Sequence, residues 1–394
     1  MADPASSERP WHYLDHAASS PTRPEVIAAM VPVLADGYAN PSGAHALARQ
    51  ARALLDDARE RLAAVVGCRP GELVFTGGGT EADNLAVRGV SEARGGTVVC
   101  TAIEHHAVLE PVQRAGGRIV AVDHRGRVDL DALADALDSG VGLVSVGLLN
   151  NELGTVQHLA EVAALVGQQA PDAVLHTDAA QALPWLDVGR AAAAADLVTL
   201  ASHKCGGPKG IGALVVRGDL RLAAQQLGGG QERERRSGTQ DVASAVGFAV
   251  AAETAVAERE ALVRRAGGWR NRILDAVTGA IPGAIASAAP TADRSHLAAG
   301  IANVCLPHVD SEALLFLLEH DHRVLASAGA SCASGAQEPS HVLAALGIDR
   351  ALAGGSLRLS LGWSTTEADV DAAIAAVADA GLRLQAKARH GAPA

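Results

Sequence analysis

Short apolar runs alternate with longer stretches of helical period through the first two thirds of the chain. The runs Glu72–Thr76, Thr97–Thr101, Arg118–Val122, Leu143–Leu149, Val174–Thr177, Leu197–Ala201 and Ile211–Val216 have strand length and are rich in Val, Ile and Thr. Between them, Ala44–Val66 sets Leu47, Ala51, Leu54, Leu55, Ala58, Leu62 and Val65 near i, i+3, i+4 spacing, with Arg and Asp on the other face. That spacing predicts an amphipathic helix. Glu81–Val90, Asp129–Leu137 and Leu159–Gln168 repeat the theme. Strands that alternate with helices predict an α/β unit whose mainly parallel sheet is covered on both faces. A helical stretch from Val242 to Arg265 runs into Gly267-Gly268, which reads as a boundary. Beyond it, helical patterns at Trp269–Val277, Ser311–His320 and Glu367–Leu384 mix with strand-like Ile301–Leu306 and Ser356–Ser360. This predicts a smaller α+β unit, with a frayed end over Lys387–Ala394.

Composition bounds the function more than the fold. At about 150 residues per domain, 394 residues suggest two or three units. The 48% hydrophobic content excludes global disorder, and with aromatics at 2% the core must be built from small aliphatic side chains. With 33 basic and 44 acidic residues the net charge is −11, which argues against nucleic acid or an anionic membrane as the main partner. No run approaches the roughly 18 apolar residues of a membrane helix. The first residues carry early acids and lack a basic-then-apolar export pattern, so a cytoplasmic location is expected. Cys68, Cys100, Cys205, Cys305 and Cys332 are odd in number and scattered without a CxxC, supporting neither a disulfide framework nor a zinc knuckle. The pairs His105-His106 and His320-x-His322 lack a third ligand at suitable spacing, so no metal site is expected.

Two constellations carry candidate chemistry. TGGGTEADN (Thr76–Asn84) follows a strand and opens a helix. Such a turn either cradles a phosphate on its backbone N–H groups, with Thr80 adding a hydroxyl, or is a plain strand-to-helix connection. It matches neither GxxxxGK[ST] nor GxGxxG, so no nucleoside triphosphate or dinucleotide is indicated. HTDAAQA (His176–Ala182) and ASHKCGGPKGIG (Ala201–Gly212) place Asp178 and Lys204 at the carboxyl ends of consecutive strands, where α/β sheets bind ligands. A lysine there suits a Schiff base, and an aspartate opposite a ring nitrogen suits a cofactor electron sink. The bland alternative is a surface lysine and a helix-capping aspartate.

The motifs TGGGTEADN, EHHAVL, NNELGTVQ, HTDAAQ, SHKCGGPKG, GGGQERERRSGT and SLRLSLG occur in that order, together with YLDHAAS, YANPSGAH and EPSHVL. The series resembles pyridoxal-phosphate (PLP) cysteine desulfurases of the housekeeping iron–sulfur-assembly type, within the class V aminotransferase superfamily. The resemblance runs from about Tyr13 to about Asp369. It implies a type I PLP fold: a large domain with a mainly parallel seven-stranded sheet over residues 17–262, and a small C-terminal α+β domain over 263–394. Residues 1–16 would pack on the small domain, and a homodimer is implied.

Carried over residue by residue, the resemblance makes Lys204 the Schiff-base lysine and Asp178 the partner of the pyridine nitrogen. Gln181 and Asn151 would bond around the ring hydroxyl. His105 would stack on the ring and move protons, whereas His106, its neighbour on a strand, would face away. Gly79, Thr80, Ser202 and His203 would contact the phosphate, and Thr239 would reach it from the partner subunit. Arg358 would clamp the substrate carboxylate, assisted by Asn40 of NPS. Cys332, in a Gly/Ala/Ser loop without apolar periodicity, is the implied nucleophile, accepting sulfur from L-cysteine as a persulfide and leaving L-alanine. Cys100 and Cys305, flanked by aliphatic residues, take the core reading, Cys205 is read as packing, and Cys68, beside a turn Pro-Gly, is incidental. The sulfur acceptor would be a protein, such as an iron–sulfur scaffold or a tRNA-thiolation enzyme. The chain departs from the common pattern in reading GGGT in the phosphate turn, Ala201-Ser202 before the lysine, and Ala180 after Asp178. The alternatives are a PLP aminotransferase, β-lyase or selenocysteine lyase of the same fold, or a non-enzymatic partner that kept it.

Overall fold

The computed structural model describes residues 10–289, 291–329 and 340–391. Its strands are β1 (His12–Tyr13), β2 (Leu73–Thr76), β3 (Thr97–Thr101), β4 (Arg118–Val120), β5 (Val141–Ser145), β6 (Val174–Asp178), β7 (Leu197–Ala201), β8 (Gly212–Val216), β9 (Ile285–Ala286), β10 (Ile301–Cys305), β11 (Val324–Leu325) and β12 (Ser356–Ser360). Seven of them form one sheet in the order β2-β8-β7-β6-β5-β3-β4. The neighbours from β7 to β4 pair in parallel, while β8 runs antiparallel to both β7 and β2. The type I fold is thus present in its expected form.

Period-two alternation explains how this sheet is covered. Leu73 and Phe75 of β2, Val99 of β3 and Ala213 and Val215 of β8 join one apolar cluster. Val74, Val98, Cys100, Leu214 and Val216 join another on the opposite face. That second face is closed by helix α3 (Gly79–Arg94), numbered after α1 (Pro24–Asp36) and α2 (Ala46–Val66), and by α4 (His106–Arg114). Helix α3 buries Ala82, Leu85, Ala86 and Val90, the spacing of one helical face. Each such Leu or Val stabilises the fold by roughly 1.5–3 kcal/mol relative to exposure.

The remaining strands form a three-stranded sheet, β12-β10-β9, and the pair β1-β11. The N-terminal segment joins these elements: His12 and Tyr13 pair with Val324 and Leu325, and Asp15 bridges to Ser360. His12 Nδ1 lies 2.8 Å from Asp369.

Two expectations fail. The break at Gly267-Gly268 is absent, because one helix runs from Val242 to Ala280 and buries Leu262, Ala266, Arg270 and Ile273 on both sides of the glycines. Glycine in a helix interior costs only about 1 kcal/mol relative to alanine, and that burial outweighs it. The expected end of the large domain, residue 262, therefore lies inside a helix. Of the expected frayed tail, residues 387–391 are helical, since the last helix extends from Glu367 to Gly391, and residues 392–394 lie outside the described residues. Among the described residues no helix is long and apolar enough to cross a membrane.

Candidate active site

The carboxyl ends of β2, β3, β5, β6 and β7 deliver the motif residues to one side of the sheet. There a cleft of about 510 Å³ is lined by Gly79, Thr80, His105, Asn151, Asp178, Gln181, His203, Lys204 and Arg358. An adjoining recess of about 640 Å³ shares Gly79, Thr80 and His203 with it and adds Gly77, Gly78 and Lys209. Most of the residues singled out from sequence are thus brought together.

Backbone demands account for the glycine turn. Gly78 has φ +148°, which side chains disfavour, and it starts α3 without a side-chain cap. A side chain on Gly212, the first residue of β8, would lie 2.6 Å from the Gly78 carbonyl carbon, so the turn and the strand approach closely only because Gly212 carries no side chain. Uncapped N–H groups at the start of a helix are a ready anion cradle.

Asp178 ends β6, where one carboxylate oxygen accepts the Ala180 N–H at 2.8 Å. Burial raises its pKa, an effect opposed by that bond and by His105 and Lys204. Beneath it on the same strand face, His176 is fully buried between Ser145 Oγ at 2.8 Å and Thr199 Oγ1 at 3.1 Å. Asp83 lies 3.6 Å from the same ring. Burial holds the His176 pKa down to about 3, so this ring is neutral.

Lys204 occupies the turn after β7, and its amine donates to the Ala17 and Ala18 carbonyls at 2.6 and 2.9 Å. Burial lowers its pKa to about 8, assisted by the charge of Arg358 and opposed by Asp178 and Asp15. The free amine therefore forms near neutrality rather than at the usual pH of about 10.4. Condensation of this amine with a simple aldehyde, measured on cofactor-free protein, should rise with pH to a plateau above about pH 8. Asp178→Asn should shift that midpoint down and Arg358→Ala should shift it up, because the carboxylate favours the ammonium and the guanidinium disfavours it.

His105 is the N-cap of α4, and its Nδ1 accepts the Ala107 N–H at 3.1 Å. That bond leaves Nε2 to carry the ring proton. His106 does face away from the cleft, but for a different reason than expected. Strand β3 ends at Thr101, so the two histidines sit at a helix start rather than on a strand.

Four predicted residues stand apart. Ser202 does not line the cleft; its hydroxyl is buried against Gly207 without a hydrogen-bond partner among the described residues. Thr239 and Asn40 are exposed and line neither the cleft nor the recess, and the Asn40 side chain accepts the Ser42 N–H. Cys332 lies outside the described residues. Sequence reasoning missed Asp15, Asp83 and Glu104, all of which line the cleft. The position of Asp83, three residues after Thr80 on one helix face, was an available signal.

The residues present fit PLP. Asp83 Oδ1 and Glu104 Oε2 are buried without a hydrogen-bond partner, and with Asp178 they place three carboxylates around one cleft floor. Such an acid-rich floor matches a cationic ring, the neighbouring amine matches its aldehyde, and the glycine turn matches its phosphate.

The described thiols are poor nucleophiles. Burial pushes Cys68 up to about 11 and Cys205 up to about 12, and raises Cys100 and Cys305 as well. Cys205 Sγ is spent on the Ser202 carbonyl at 3.1 Å.

Residues 12–373 match the class-V aminotransferase family. The chain is 42% identical over 378 residues to an IscS-like cysteine desulfurase of Mycobacterium tuberculosis, covering 92% of this chain and 94% of that one. It superposes on a solved NifS-like protein with a TM-score of 0.86 at 30% identity, covering 94% of this chain and 99% of that one. A structure described as SspA in complex with cysteine gives a TM-score of 0.74 at 30% identity, covering 89% and 98%.

Proposed function

Given that this chain belongs to the class-V aminotransferase family and is a cysteine desulfurase within it, we propose that Lys204, Asp178, His105 and Arg358 process L-cysteine and that Cys332 receives its sulfur. The observation that carries this reading is the convergence of a half-buried carboxylate, a lysine of lowered pKa and a buried arginine on one cleft.

When bound, PLP supplies an electron sink that stabilises negative charge at the substrate α-carbon. Lys204 holds the cofactor and removes the α-proton, a task suited to an amine of pKa about 8. Asp178 compensates charge at the ring nitrogen. His105 covers the ring and offers its Nε2 proton, while Gly79, Thr80 and His203 hold the phosphate, with Ser202 placed behind them. Asn151 and Gln181 border the ring hydroxyl. Arg358 receives the substrate α-carboxylate. An S–S bond then forms between the Cys332 thiolate and the substrate sulfur as the substrate Cβ–S bond breaks. That bond's electron pair stays with carbon, which takes up a proton, so thiol plus L-cysteine yields persulfide plus L-alanine.

A second copy of the chain completes the site. Ile27, Val31 and Leu34 lie exposed along one face of α1, followed by exposed Tyr38, and Leu227 is exposed in the segment that leads to Thr239. This apolar surface supports a homodimer in which Thr239 and Asn40 reach the neighbouring cleft. The persulfide passes to a protein acceptor, an iron–sulfur scaffold or a tRNA-thiolation enzyme. The four described cysteines are free, which supports a reducing, cytoplasmic setting.

The test measures L-alanine and sulfide together, with a dithiol present, on wild type and Cys332→Ala, and maps persulfide by mass spectrometry. We expect persulfide on Cys332 and at least about a 100-fold loss of alanine formation in the variant. Unimpaired alanine formation in the variant would overturn the role of Cys332, whereas pyruvate and ammonia in place of alanine would favour a β-lyase.

A further inference from the structure

Arg358, the residue assigned to the substrate carboxylate, is bonded by two groups of the chain itself. Its Nη2 donates to Asp15 Oδ1 at 2.8 Å and its Nη1 donates to the Asn151 carbonyl at 3.0 Å. The guanidinium is buried, with its side chain 4% exposed against 23% for Asp15. A carboxylate that binds a guanidinium as a fork takes N–H groups of two neighbouring nitrogens; Arg358 Nε has no partner among the described residues, so a fork on Nε and Nη2 would share Nη2 with Asp15.

Asp15 is held by its backbone more than by its side chain. Its carbonyl accepts the Tyr13 hydroxyl at 3.1 Å, its backbone bridges to Ser360, and Ala17 N–H is bonded to Ser360 Oγ at 2.9 Å. Arg358 makes the only side-chain bond found for the Asp15 carboxylate among the described residues. The carboxylate can therefore turn away from Arg358 without unmaking the fold. It faces two cations, because Lys204 also feels its charge.

We propose that Asp15 is an internal competitor for the carboxylate site, occupying Arg358 until the α-carboxylate of an amino acid takes its place. The proposal rests on the reading of Arg358 as the carboxylate clamp. One carboxylate exchanges for another, so the charge on the guanidinium stays compensated throughout. An amino acid gains a second attachment through its amine at the Lys204 side of the cleft, whereas a simple carboxylate gains only Arg358. Asp15 thus sets one threshold for either kind of acid, and the second attachment lets an amino acid overcome it at lower concentration.

The experiment uses the holoenzyme with propionate as an amine-free carboxylate and L-alanine as an amino acid that carries no sulfur. Propionate is measured as a competitor of L-cysteine, and L-alanine by titration of the visible absorbance. Removing one partly exposed ion pair should tighten both constants in Asp15→Asn by about 5-fold. The gain should be read in KM for L-cysteine, with kcat not raised. Asp15→Ser should move in the same direction, and Asp15→Glu, which keeps the charge, should stay near wild type. A weaker propionate constant in Asp15→Asn, or an unchanged one, overturns the proposal, as does tightening in Asp15→Glu equal to that in Asp15→Asn. Propionate binding that survives Arg358→Ala would instead remove the clamp assignment, and neither result depends on sulfur transfer to Cys332.

Discussion

Lys204→Ala should lower alanine formation from L-cysteine by at least about 1,000-fold, because one amine performs two tasks. In the proposed reaction it would anchor the cofactor and also remove the α-proton. Its neighbours in the cleft are unsuited to the second task. His176 is sealed beneath the floor, and Nδ1 of His105 is committed to the Ala107 N–H. The substitution should leave the fold intact, since among the described residues the amine bonds only the Ala17 and Ala18 carbonyls, which face the cleft. Measured alanine formation and a thermal melt on the same preparation separate the two effects. Loss of activity with a melting temperature within a few degrees of wild type is the expected pair of results.

Asp178→Asn should cost about 100- to 1,000-fold in kcat, the size seen when one preorganised electrostatic partner is removed from a buried site. Asparagine keeps the shape and can still accept the Ala180 N–H, so the missing element is charge. Stability should move the other way. Burial raises the Asp178 pKa, so the folded chain binds this proton more tightly than the unfolded chain does. Its contribution is therefore present at low pH and is lost as pH rises above the ordinary aspartate value. Cofactor-free Asp178→Asn should melt at or above the wild-type temperature at pH 8, with the difference shrinking on acidification. A variant that loses both activity and stability at pH 8 would mark Asp178 as structural.

Much of this site was legible because its chemistry is local. Asp178 and Lys204 each follow an apolar strand directly, so strand periodicity alone put them at the same edge of the sheet. The glycine turn was legible for a similar reason, since a strand, three glycines and a helix start leave the backbone N–H groups available. The strand boundaries were less so: the run from Leu143 to Leu149 only overlaps β5, which starts at Val141 and ends at Ser145. Residues 146 and 148 still donate to β6, and the apolar pattern does not register where regular pairing stops. The glycine pair at 267 and 268 misled because helix breaking is a local tendency, and burial on both sides overrode it.

The order of strands and helices, the exclusion of a long apolar span and the placement of Asp178 and Lys204 at strand ends follow from the amino-acid sequence by itself, because each depends on neighbours a few residues away. Cys332 became a nucleophile candidate only through the resemblance carried by the motifs along the whole chain. Tertiary structure decided the rest. Asp15 and Arg358 stand 343 positions apart and meet only because the N-terminal segment threads between β11 and β12. Asp83 and Glu104 become site residues only when helix α3 and the turn after β3 pack against β6 and β5. The lowered pKa of Lys204 likewise belongs to no motif, since it arises from burial and from charges delivered by distant strands. Periodicity records which face a residue takes; desolvation and charge are set by what the folded chain brings against that face.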